Sequence, residues 1–278
     1  MFPLIAALTQ VGGILVDKIT LTRRQVAVHV FVPVLFLFLF FFTFLLFPFL
    51  GTISPNIFTP YYLLIFVAML VTAVIWNIFY YRGVQMEKVH EFEMIVMFQP
   101  LLTIILATIF LRGEQNIPTI IASIVAALAL AAAHINKTHL EFSTGAKNLI
   151  LATVFMSVEL ILIKIMLNVL SPVALYSIRT GILFLFFFFY FRPDIRKIAN
   201  TNAALILLSA FLGAIQMVAK FYGFEKYGVV YTSLILILAP LLVYILSTIF
   251  LHERLKIRTI ISVIVILVCI LYATILGK

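Results

Sequence analysis

The chain has 278 residues, 65% of them hydrophobic and 10% charged, with a mean hydropathy of +1.24 and a formal net charge of +9. So little polar surface cannot cover a soluble globule of this size, which excludes a soluble enzyme or binding domain and makes the lipid bilayer the solvent. The cations stand singly between apolar segments, with no stripe interleaved with aromatics, which excludes nucleic acid as a partner.

Taken in order, ten apolar stretches approach the ~20 residues that a ~30 Å hydrocarbon core requires. They run roughly over 2–20, 26–47, 61–81, 90–111, 118–135, 148–168, 173–191, 203–224, 229–251 and 258–276. The first lacks a basic leader and ends in Asp17 and Lys18 instead of a small-residue cleavage site, so it reads as a span and not a signal peptide. The longest connections, Pro48–Pro60, Asn136–Lys147 and Arg192–Asn202, are too short for an appended soluble domain, leaving one membrane domain over 1–278. Runs such as Phe36–Phe44 and Phe184–Phe191 read as lipid-facing surface, and the alanines of 126–133 suit either packing within the chain or a homodimer contact. Cys269 stands alone, with neither a disulfide partner nor zinc spacing.

The stretch Gln99–Glu114, QPLLTIILATIFLRGE, returns as Ala239–Arg254, APLLVYILSTIFLHER. At a constant offset of 140, Pro100, Leu101 and Leu102 meet Pro240, Leu241 and Leu242, and Gly83 meets Gly223; the sixth span relates to the first at an offset of 146. Repeat one covers 1–135 and repeat two 147–278. Five spans per repeat is an odd number, so the second copy enters the bilayer from the opposite side. The expected fold class is an all-α membrane protein of ten transmembrane helices in two inverted five-helix repeats, a common construction of transporters working by alternating access. Of the nineteen cations, thirteen lie in or at the edges of the loops after odd-numbered spans and three in the alternate loops and termini, which by the positive-inside rule puts both termini outside.

A span with a proline near its middle, ending in Phe110-Leu111-Arg112-Gly113-Glu114 or Phe250-Leu251-His252-Glu253-Arg254, resembles the EamA-like branch of the drug/metabolite transporter superfamily. Tyr80-Tyr81-Arg82-Gly83 and Phe221-Tyr222-Gly223-Phe224 resemble that family's aromatic span ends. The resemblance covers nearly the whole chain, and departs from it where the first copy's Glu falls one place later than Glu253. It implies a secondary transporter of small polar or amphipathic metabolites, amino acids first, in the cell membrane with cytoplasmic termini, opposite to the charge rule. Nucleotide-sugar or lipid-linked sugar carriage is the alternative it implies, with Arg179, Lys220 and Lys164 as anion receptors.

Helical spacing puts Ala73, Trp76 and Tyr80 on one stripe, and the offset maps them onto Gly213, Gln216 and Lys220; Asn77 and Tyr81 lie beside the first stripe. The stripe reads as a cavity wall or as helix packing. Glu159, at mid-span, is the proton-coupling candidate, because a charge at that depth needs a partner, a proton or a water-filled cavity; the plain alternative is a neutral or paired structural carboxylate, with Lys164 a partner five residues along the helix and so on a different face. Arg179 and Lys220 can line the cavity or snorkel, and Arg179 resembles an arginine the family carries early in its seventh span. Gln10, beside Gly12 and Gly13, joins the candidate lining, as do Gln99, Glu91 and the latter's repeat counterpart Tyr231. Pro100 and Pro240 free a carbonyl one turn earlier and are hinge candidates. No nucleophile elbow, phosphate loop or metal spacing occurs, so no enzyme, cofactor or metal is expected. The expected partners are a small-molecule substrate, the bilayer, a candidate proton gradient and a candidate second copy of the chain; a non-transporting scaffold or intramembrane enzyme is the remaining class.

Overall fold

The computed structural model describes residues 1–87, 95–96, 98–134, 143–194, 199–240, 242 and 257–276. Among them are ten helices: α1 (Phe2–Lys18), α2 (Val28–Leu50), α3 (Pro60–Met86), α4 (Phe98–Phe110), α5 (Ile117–His134), α6 (Thr144–Met166), α7 (Pro172–Phe191), α8 (Asn200–Tyr227), α9 (Val229–Leu236) and α10 (Ile257–Leu276). Local chemistry sets several starts. Pro60 and Pro172 open α3 and α7, where a missing N–H costs nothing. Ser143 and Ser171 cap α6 and α7 by accepting from the amides of Ala146 and Ala174. Gly228, at φ +85, supplies the left-handed residue that breaks α8 from α9.

Six helices, α1 (through Leu21), α2, α3, α6, α7 and α8, are long and apolar enough to cross a membrane; α4, α5, α9 and α10 carry shorter apolar segments. Large side chains such as Phe41, Phe49, Leu64, Ile109, Phe189 and Ile275 are exposed on the outside of the bundle. Only an apolar solvent accommodates such a surface, and the chain is an integral multi-pass membrane protein.

Two helices outrun their expected spans. α3 reaches Met86 and α8 covers Asn200–Tyr227, because hydropathy stops counting at Arg82 and Glu225 while backbone hydrogen bonding continues past the apolar zone. The described part of α4 starts at Phe98, and beyond α9 the helical backbone is described as far as Pro240; the rest of the expected fourth and ninth spans lies outside the described residues.

The most extensive packing pairs are α3 with α6, α1 with α8, α2 with α7 and α5 with α10. Exchanging the first five helices for the last five turns α3–α6 into α8–α1 and leaves the other two pairs unchanged. Atomic contacts follow the same exchange. A Cβ on Gly83 would stand 2.5 Å from Leu149 of α6, and one on Gly223 3.3 Å from Pro3 of α1, residues related by the offsets 140 and 146. The alanine stripe is used within the chain: Ala126 and Ala127 are buried, and Ser262 of α10 donates to the carbonyl of Ala129.

The two ends of the bundle differ. At the Met1 end, the loops around Thr52 and Ser171 exchange hydrogen bonds, and the carboxylate of Glu114 accepts from the amides of Val229 and Val230 at 2.8 and 3.1 Å, capping α9 from a distant turn. At the opposite, Lys18 end, the ammonium of Lys18 donates to the carbonyls of Val84 and Glu87, and Ser143 donates to the Glu87 carboxylate.

Candidate functional site

α1, α2, α3, α6, α7 and α8, with Gln99 of α4, enclose a cavity of about 130 Å³. Its organising element is a buried ion pair. Glu159, 1% exposed on α6, accepts from Arg179 Nε at 2.6 Å and Nη2 at 3.1 Å, and from the indole N–H of Trp76 at 2.5 Å. The guanidinium lies 6.0 Å from the Trp76 ring and 5.9 Å from the Tyr176 ring. A two-pronged arginine–carboxylate contact is the geometry that best compensates two desolvated charges.

The pairing corrects two readings of the sequence. Glu159 is not set against Lys164, whose ammonium instead donates to the carbonyl of Phe224 at 2.5 Å; five residues along one helix place the two on different faces. Arg179 and Lys220 do not snorkel, being 2% and 6% exposed. Arg179 finds its counter-charge inside. Lys220 holds its ammonium 5.7 Å from the Phe224 ring.

The remaining expected residues divide. Gln10, Trp76, Asn77, Tyr80, Gln99, Glu159, Arg179, Gln216 and Lys220 share this cavity. The side-chain amide of Gln99 donates to Thr103, and its carbonyl accepts from Ser157. The two stripes meet across it: Trp76 bonds Glu159, and the repeat-related contact sets Gln216 Oε1 4.0 Å from where a Cβ on Gly13 would stand. Ala73 is fully buried behind the wall. Tyr231 faces a second cavity and bonds Thr274. Pro100 is buried near the start of the described α4, and Pro240 closes the continuous described backbone that follows α9. Glu91 lies outside the described residues.

Sequence reasoning missed Asp17. In the sequence it reads only as the polar end of the first span beside Lys18, yet its carboxylate lines the cavity and accepts from Ser209 of α8. The available signal was helical spacing, since Gln10, Gly13 and Asp17 stand at i, i+3 and i+7. The lining thus holds two carboxylates, Asp17 and Glu159, and two cations, Arg179 and Lys220, whose formal charges cancel. The second cavity, about 770 Å³, opens at the Met1 end between Tyr62, Arg112, Glu114, Lys164, Lys226 and Tyr231.

The described helices thus form a membrane bundle around a small cavity lined by two carboxylates and two cations. Residues 143–275 match the model of the EamA-like transporter family, which is part of the drug/metabolite transporter superfamily. A solved crystal structure superposes with a TM-score of 0.74 over 98% of each chain at 15% identity, a likeness of fold. No curated protein matches.

Proposed function

We propose that the chain is a ten-span secondary transporter of small zwitterionic metabolites, amino acids foremost, working by alternating access in the cell membrane. The observation that carries this is the cavity's balance of charge at its volume. Two carboxylates and two cations suit a solute with both signs and no net charge, whereas a nucleotide sugar would bring uncompensated negative charge into a low-dielectric site. A volume of about 130 Å³ falls below the ~300–1,000 Å³ of pockets for drug-sized ligands. This favours amino acids over the sugar-nucleotide alternative.

The inverted repeat is supported by the self-exchange of the packing pairs and by the matched contacts of Gly83 with Gly223 and of Trp76 with Gln216. Helices α4, α5, α9 and α10 supply the four remaining spans in this reading. Glu159 is the coupling group: taking up a proton would loosen its pair with Arg179, and losing it would restore the pair.

The test is flux in sealed liposomes of the purified chain, with labelled amino acids and nucleotide sugars, with and without a pH gradient. Saturable amino-acid flux that follows the gradient is expected, and Glu159→Gln should abolish the gradient dependence. Saturable flux of a nucleotide sugar alone would replace the reading.

A further inference from the structure

We propose that the cavity holds its solute in one polarity, with Asn77 and Gln10 receiving a primary ammonium group and Lys220 receiving a carboxylate. The inference rests on the reading of the chain as a carrier of small zwitterions. Asn77 is fully buried, and its amide N–H donates to the carbonyl of Ala73 at 2.8 Å, which fixes the orientation of the amide. Its Oδ1 is left buried with no hydrogen-bond partner among the described residues. Gln10 Oε1, from α1, is in the same condition, and both residues line the cavity.

Buried acceptors without donors are costly, and a ligand that presents N–H groups relieves both at once. Asp17, two turns beyond Gln10 on the same face, adds negative charge to that wall. Of the two cations, Arg179 commits two donors to Glu159, whereas Lys220 makes no hydrogen bond among the described residues and retains its donors for a carboxylate.

Trp76, the chain's single tryptophan, bonds Glu159 in the same cavity and reports binding by its emission. The full-length protein in detergent is titrated with the amino acids other than tryptophan, and the tightest is compared with its deaminated acid and its decarboxylated amine. The amino acid is expected to act at concentrations at least ten-fold below either analogue. Asn77→Leu and Gln10→Leu should each remove the advantage over the acid while leaving the acid's own titration within two-fold. Equal titration of amino acid and acid by the parent, or equal weakening of both in the variants, overturns the polarity. Binding with this preference but no flux in liposomes would overturn the carrier reading alone; flux of amino acid and acid at equal rates would overturn the polarity alone.

A separate observation leads us to infer that Lys18 and Lys164 are paired latches at opposite ends of the cavity. Lys18 of α1 donates to the carbonyl of Val84 in α3, and Lys164 of α6 donates to that of Phe224 in α8. Lys164 is Lys18 displaced by 146 and Phe224 is Val84 displaced by 140, the offsets that relate the same helices elsewhere. The cavity lies between the α1–α8 pair and the α3–α6 pair, and each latch ties one pair to the other, Lys18 at its own end and Lys164 at the Met1 end beside the large cavity. Both latches are closed here, in keeping with the small central volume. Opening them in turn gives access from one end at a time.

The test places one thiol on the cavity wall, Met217→Cys in a Cys269→Ser chain, and measures labelling by an impermeant reagent from each side of oriented vesicles. Lys164→Met is expected to raise the rate at least five-fold from the Met1 side and Lys18→Met from the other side, with Lys→Arg at either position close to the parent. Acceleration of both from one side, or no change in either while Trp76 emission stays parent-like, overturns the pair.

Discussion

Glu159 shows how much one residue depends on its neighbours. Its carboxylate takes three donors, and removing a single partner of such a buried pair leaves the other charge uncompensated, at a cost of about 3–5 kcal/mol. Arg179→Met is therefore expected to lower thermal stability in detergent sharply, while Arg179→Met combined with Glu159→Leu should recover much of the loss, because no isolated charge remains. Melting followed by Trp76 emission and by circular dichroism measures both, and a double variant as unstable as the worse single one would refute the account. Glu159 was legible in the sequence as a charge at membrane depth; its partner was not, because a separation of twenty residues and a helix reversal stand between it and Arg179.

At the level of elements, α9 is held at its start by a carboxylate that is not its own. Glu114 bonds two of the orphan amides of α9, so Glu114→Ala should cost about 1–2 kcal/mol and Glu114→Gln less, since one amide oxygen still accepts; denaturant titration in mild detergent gives both values. Gly228→Ala should cost at least as much, about 1–3 kcal/mol, because its φ of +85 is strained for alanine and the added Cβ would stand 2.6 Å from the Glu114 carboxylate. Gly83 works differently, by letting α3 approach α6. Gly83→Ala drives a Cβ to 2.5 Å from Leu149 and should separate these helices, lowering both the melting temperature and any flux; Gly223→Ala meets Thr232 of α9 at 2.8 Å and Pro3 of α1 at 3.3 Å and should lower both as well. The double glycine at one offset was visible in the sequence as a repeat; which helix each faces was not.

For the whole molecule, the expectation is exclusion by size and charge. Unlabelled nucleotide sugar at a hundred-fold excess should leave amino-acid flux within two-fold in liposomes, and competition at equimolar concentration would assign the larger, more cationic cavity at the Met1 end a part in binding. The sequence by itself determined the solvent, the all-helical build, the repeat and most of the polar residues that gather at the centre, because hydropathy, helical period and repeat offset are local or linear properties. Only the tertiary structure decided that Asp17 belongs to the cavity, that Tyr231 does not, and that Arg179 and Lys164 have the partners they do. Such choices depend on which faces of distant helices meet, and in a bilayer that is set by close packing of small residues and by the need of each buried charge to find a counterpart.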